Sequence, residues 1–281
     1  MNLQSYTEAG EFLDNCQDEL ESSEAANSLL LGISMNLDWF PKRVDNLPCL
    51  TTITEEHRLV LAAIMTPPHN LVLSTHQGNL EAACQLLVDD LIKRGWAVPG
   101  VLAPSSAAEA FARHWLEATG RRFKIDRQQR VFELRETHFL PSIAGKLRIA
   151  NPADLDLVAT WENGFNVDIF RISDLVQSRQ SAELRIGEGD LYLWDDQQPR
   201  SMAMKTRPTR HGISISQVYT PPEFRGRGYA TACVAELSRG LLHSGWQFCA
   251  LFAVVTNQSA NYVYQKIGYR PVCNFDEISF L

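Results

Sequence analysis

Apolar residues recur along this chain in two alternating rhythms. Phe12, Cys16 and Leu20 lie four apart, as do Leu29, Ile33 and Leu37, and this spacing predicts helices over 6–20 and 23–37. Short β-branched or continuous apolar runs follow and predict strands over 49–53, 58–65 and 71–74. Residues 78–94 return to helical spacing, with Leu80, Cys84, Leu87 and Leu91 on one face. A strand over 98–103, a helix over 106–119 and a strand over 130–135 complete the first half, and Pro141 with Gly145 marks 137–145 as a linker. The second half runs through the same order. A strand over 146–150 precedes helices over 154–165 and 173–186, then paired strands over 191–194 and 201–205. A strand over 213–219, a helix over 229–243, a strand over 246–255, a helix over 257–267 stopped by Gly268 and a closing strand near 272–280 finish the chain.

The halves share more than an order of elements. AIMTPP at 63–68 faces AMKTRP at 203–208, Gly95-Trp96 faces Gly245-Trp246, and Thr119-Gly120 faces Ile267-Gly268, all at nearly constant separation. This is the signature of a duplicated fold, with domains at 1–136 and 146–281 joined by 137–145. The length of 281 residues suits one or two domains that each bury a core.

Composition narrows the function classes. The chain is 45% hydrophobic and 21% charged with a net charge of −7, and no face-wide basic cluster argues for a nucleic-acid partner. No apolar run reaches the length of a membrane span and the acidic N-terminus is unlike a signal peptide, so a cytoplasmic protein without a membrane partner is expected. Six scattered cysteines, with neither a CxxC pair nor Cys/His metal spacing, predict buried reduced thiols and no metal.

The most informative stretch is ISISQVYTPPEFRGRGYAT, residues 213–231. Ile213, Ile215, Val218 and Tyr219 fill a strand, and Pro221 and Pro222 end it because neither can donate a ladder hydrogen bond. Arg225, Gly226, Arg227 and Gly228 then lead into a helix. The N–H groups of a first helical turn have no intrahelical partner and the helix dipole adds positive charge, while glycine lets the backbone approach a phosphate closely. No Gly-Lys-Ser/Thr makes this a nucleotidase P-loop, and Thr231 stands where a dinucleotide fingerprint needs its third glycine. The segment resembles instead the coenzyme A pyrophosphate loop of the GNAT superfamily of N-acetyltransferases, Gln/Arg-x-x-Gly-x-Gly/Ala, with Glu223 at the Gln/Arg position. A second stretch, LFAVVTNQSANYVYQKIGY at 251–269, is similar to the family's strand, Asn, Tyr-bearing helix and Gly-Phe/Tyr. Its counterparts here are Asn257, Tyr264, Gly268 and Tyr269.

The resemblance implies an α/β (α+β) protein of two tandem GNAT-like domains, each a mixed, mostly antiparallel twisted sheet flanked by helices. The first is degenerate, since its loop after 71–74 reads THQGN without arginine and its 106–119 helix lacks a tyrosine matching Tyr264. The family's chemistry implies direct acetyl transfer from acetyl-CoA to an amine, a small molecule or a peptide. Val218, Tyr219 and Thr220 would then bind the pantetheine arm as an added strand would, with the Val218 N–H polarising the thioester carbonyl. Arg225, Gly226, Arg227, Gly228, Tyr229, Ala230 and Thr231 would bind the pyrophosphate. Tyr264 would protonate the departing thiolate, with Tyr262 and Tyr269 close by, and Asn257 would sit near the cofactor arm or simply cap its helix. The 213–219 strand carries Ser214, Ser216 and Gln217 but no carboxylate, so no general base is assigned; His211, Glu188 and Asp190 are the nearby titratable residues and a water relay is the default. Trp161, Phe165 and Phe170 would shape the acceptor pocket or pack the core. Two further readings stand beside this one. A longer acyl group or an amino acid acceptor would make the chain similar to glycine N-acyltransferase or mycothiol synthase, and a non-catalytic CoA-binding regulatory module would use the cofactor to orient the halves. Monomer and homodimer are both compatible with two fused copies.

Overall fold

The computed structural model describes residues 1–39, 47–138 and 142–281. The first half runs β1 (Asn2–Tyr6), α1 (Ala9–Glu21), α2 (Glu24–Trp39), β2 (Cys49–Glu55), β3 (Arg58–Met65), β4 (Leu71–Thr75), α3 (Leu80–Lys93), β5 (Gly100–Pro104), α4 (Ser105–Thr119) and β6 (Phe123–Leu134). The second repeats it element for element: β7 (Lys146–Ile149), α5 (Leu155–Phe170), α6 (Leu175–Glu188), β8 (Leu191–Asp196), β9 (Gln198–Thr206), β10 (Gly212–Tyr219), α7 (Tyr229–His243), β11 (Phe248–Val254), α8 (Gln258–Ile267) and β12 (Arg270–Phe280). The paired dipeptides occupy matching places. Gly95 and Gly245 both follow a helix at positive φ, and the Trp96 and Trp246 N–H groups each donate to the leucine carbonyl five residues back, Leu91 at 3.0 Å and Leu241 at 3.3 Å. Gly120 and Gly268, also at positive φ, stop α4 and α8. Of the expected linker, residues 139–141 lie outside the described residues.

Two elements depart from the spacing. β1 replaces the start of the first expected helix; on the sheet edge it buries only Tyr6, so its alternation is faint. β6 begins well before residue 130, because its first half is polar and is held by backbone pairing rather than burial. It pairs antiparallel with β12 from Phe123↔Phe280 to Glu133↔Arg270, reinforced by an Arg127–Glu277 ion pair.

The sheets expected for the two halves are joined into one of twelve strands, in the order β1-β2-β3-β4-β5-β12-β6-β11-β10-β9-β8-β7. Among the described residues only the β4–β5 and β10–β11 pairs are parallel. Each half lays down five strands and sends its sixth across: β12 inserts between β5 and β6, and β6 between β12 and β11. The cores exchange accordingly. Ile278 and Phe280 from β12 are buried in the first half's core, where the Phe280 ring lies 5.4 Å from Trp115. Phe132 and Leu134 from β6 are buried in the second half's core with Ile213, Leu251 and Tyr264. Helices cover both faces, with α1, α2, α5 and α6 on one and α3, α4, α7 and α8 on the other. All six cysteines are unpaired and five are buried.

Candidate active site

The site begins where β10 leaves its neighbours. β10 and β11 pair only from Gly212↔Phe248 to Ser214↔Ala250, then diverge, although both strands continue for several residues. On its other side β10 pairs with β9 up to Ser216↔Met204 and resumes at Tyr219↔Met202. Gln217 and Val218 therefore sit in a bulge without a register partner on either side, and Gln217 takes φ +49°, a costly conformation for a residue with a Cβ. Of the three residues expected to hold an extended ligand arm, Val218 keeps this open position. The Tyr219 carbonyl accepts from Ser201 Oγ at 3.0 Å and the Thr220 carbonyl from Arg225 Nε at 2.8 Å, so both are already engaged.

The chain then turns through Pro222–Phe224 into a glycine loop. Gly226 and Gly228 have φ +76° and +85°, which only glycine adopts cheaply. A Cβ at Gly226 would meet nothing within 4 Å, so the loop faces open space. Gly228 caps α7 without a side-chain bond, and the first capping bond is Ala232 N–H to the Gly228 carbonyl. Among the described residues the N–H groups of 226–231 have no partner. Side chains divide the work differently from the sequence expectation. Arg225 is drawn back to Asp168 at 2.6 Å and over the Tyr219 ring, whereas Arg227 stays exposed beside the loop. The Tyr229 hydroxyl donates to Asp196 at 2.9 Å, and Thr231 is buried.

The matching place in the first half is closed. Asn79 caps α3 with its own side chain, accepting from Ala82 N–H at 3.2 Å, and a Cβ on Gly78 would strike Val60 at 2.6 Å. The cradle that α7 leaves open is thus filled by protein at α3.

Tyr264 is buried in the second half's core with Phe132 of β6, Leu251 of β11 and Ile267 of α8. Its ring packs against Phe132 at 6.2 Å and Tyr269 at 5.9 Å, and its hydroxyl has no hydrogen-bond partner among the described residues. Burial pushes its phenol up to about 12. Asn257 acts as the α8 cap, accepting from Ala260 N–H at 3.1 Å. Trp161 and Phe165 pack in the core of α5, α6, β8 and β9 with Tyr219, while Phe170 stacks under the Arg127 guanidinium at 4.4 Å.

The three titratable residues noted near β10 in sequence are held in ion pairs. His211 lies at the opposite end of β10, pairing with Glu24 of α2 at 2.8 Å, and Glu188 and Asp190 face Arg185. Sequence reasoning missed Glu162. It lies on the buried face of α5, 3% exposed, and accepts from Gln217 Nε2 at 3.2 Å. A glutamate four residues after Val158 in an apolar stripe is the signal that could have found it.

Residues 197–276 match the family model described as FR47-like protein. No curated protein matches the chain in sequence. Solved structures match it along nearly its whole length. A Drosophila protein aligns with 99% of this chain and 98% of its own at TM-score 0.71 and 11% identity. A GNAT-family acetyltransferase from Colwellia psychrerythraea covers 100% and 99% at TM-score 0.58 and 13% identity. A tandem GNAT protein from the clavulanic acid biosynthesis pathway covers 99% and 98% at TM-score 0.58 and 14% identity. At these identities the likeness is one of fold. The chain has the fold of tandem GNAT proteins, and its residues 197–276 match the FR47-like family model.

Proposed function

We propose that the second half transfers an acetyl group from acetyl-CoA to an amine. The observation that carries this reading is the coincidence of two gaps: β10 and β11 part after Ser214↔Ala250, and the left-handed Gly226–Gly228 turn opens the N-terminus of α7 beside them. Free N–H groups at 226–231, the helix dipole and exposed Arg227 suit a pyrophosphate. The bulge at Gln217 and Val218 presents backbone that an extended amide-bearing arm would pair with, and the Val218 N–H is the candidate donor to the thioester oxygen. Attack by the amine nitrogen forms the C–N bond, the C–S bond breaks, Tyr264 gives its proton to the leaving sulfur, and the new amide nitrogen sheds a proton that restores the phenol. The first half builds one wall of the site, since Phe132 of β6 backs Tyr264.

The test is thiol release measured with acetyl-CoA and a panel of primary amines. Release only when both are present supports the transferase. Acetyl-CoA binding without release for any amine would favour the CoA-binding module, and the same assay with longer acyl-CoA donors reads chain length.

A further inference from the structure

The α5 face of β10 holds acceptor atoms that lack donors. Glu162 Oε1 is taken by Gln217 Nε2, while Glu162 Oε2, on a carboxylate that also has the Ser181 side chain beside it, and Gln217 Oε1 are buried without a hydrogen bond of normal geometry among the described residues. Ser214 Oγ, also on β10, is likewise buried and unpaired. Buried polar atoms are normally satisfied, and a carboxylate oxygen left bare is the most costly kind to leave so. The first half satisfies one such pair, although Ser28 Oγ and His76 Nε2 close to it are also buried without partners among the described residues. There Ser74 of β4 donates to Asn27 Oδ1 at 2.6 Å, and Asn27 Nδ2 donates to the Leu20 carbonyl. The second half keeps a carboxylate and an amide oxygen free beside the one strained bulge of β10.

A free carboxylate oxygen beside a free amide oxygen suits a group that carries several N–H donors and no acceptor, such as an ammonium ion. Resting on the transferase reading above, we propose that Glu162, oriented by Gln217, receives the acceptor as a primary ammonium ion and removes its first proton. The ammonium N–H passes to Glu162 Oε2, and the freed lone pair attacks the thioester carbonyl. The C–S bond then breaks, Tyr264 protonates the sulfur, and the second N–H proton of the new amide restores Tyr264. One proton in all leaves for solvent from Glu162. The surroundings suit a base. Burial raises the Glu162 carboxyl above its usual range, opposed by Ser181, Gln217 and the Arg185 charge from α6. Of the other charges on the neighbouring elements, Asp168 pairs with Arg225, Asp156 with Arg179 and Glu188 with Arg185, while buried Arg207, just past β9, keeps an unpartnered Nε.

The experiment compares wild type with Glu162→Gln and Glu162→Asp. In turnover, Glu162→Gln should lower kcat/KM for a primary amine by about 10²–10⁴-fold with acetyl-CoA affinity unchanged, and should remove the acid limb of the pH profile. Glu162→Asp should restore part of the rate. Thermal stability gives readings that need no turnover. With acetyl-CoA present, n-butylamine should raise the Tm of the wild type and leave that of Glu162→Gln unmoved. Because the folded carboxyl is raised, its stabilising contribution is full at low pH and is lost as pH rises through the raised value. Glu162→Gln should therefore gain Tm relative to wild type at pH 8, and the gain should vanish toward pH 4. Unchanged kcat/KM and pH profile in Glu162→Gln would overturn the proposal. If no amine supports thiol release by wild type, the transferase reading fails. Glu162 is then judged by the butylamine shift alone: its loss in Glu162→Gln supports an ammonium site, and its persistence, or its absence from wild type, overturns one.

Discussion

Three tyrosines crowd the end of α8, and their hydrogen bonds separate them. Tyr262 is 66% exposed and Tyr269 gives its hydroxyl to Ser238 at 2.9 Å inside the core. Tyr264 is buried and its hydroxyl has no hydrogen-bond partner among the described residues, so of the two buried tyrosines here it is the one whose proton is not committed to the fold. A phenol pushed to about 12 looks too weak to protonate a thiolate, yet burial acts on both partners. Cys233 and Cys249, thiols of the same core, are raised to about 12 as well, so burial there moves a thiol in the same direction as the phenol. Tyr264→Phe should therefore lower kcat by about 10²-fold or more while acetyl-CoA affinity is kept. Equal kcat in the two proteins would remove Tyr264 from the mechanism. The sequence pattern marked Tyr264 but could not tell it from its neighbours by chemistry, because the partner of Tyr269 lies on another helix. Glu162 stayed hidden for the opposite reason: its meaning depends on Gln217, brought near by a bulge that no local propensity announces.

At the level of elements, α3 and α7 are the same helix in two copies with opposite N-termini. Asn79 satisfies the first turn of α3 from within, whereas Gly228 leaves the first turn of α7 to an outside partner. Asn79→Ala should cost about 1 kcal/mol of stability and leave acetyl-CoA affinity unchanged, measured by denaturant unfolding and by calorimetry. A loss of affinity would mean that the first copy also takes part in binding. This difference was legible in the letters, since THQGN and RGRGY differ where backbone and cap chemistry demand. Strand ends were less so: β6 is polar through Arg127, Gln128 and Gln129, and no periodicity reports a strand held by its partner's backbone.

The exchange of β6 and β12 ties the halves into one molecule. Residues at the very end of the chain complete the first core, and residues before the linker complete the second. A second tie crosses at α2, where Glu24 holds the His211 ring at 2.8 Å and its N–H at 2.9 Å. Phe280→Ala should cost about 3–5 kcal/mol, and both halves should unfold together in one transition at the lower temperature. A first half that melts alone, with the second unmoved, would show that the exchanged strands do not couple the cores. Sequence repetition revealed the duplication but not the exchange, since β6 and β12 would each satisfy the same apolar pattern packed at home or across.

The central claim is that the glycine turn before α7 holds the pyrophosphate of acetyl-CoA, and calorimetric titration of acetyl-CoA tests it most directly. Wild type should bind at one site per chain. Gly228→Glu, which puts a carboxylate and a strained φ in the cradle, should abolish binding, and exposed Arg227→Glu, at a position free of that strain, should weaken it by at least tenfold. No binding by wild type, or equal binding by all three proteins, would contradict the account.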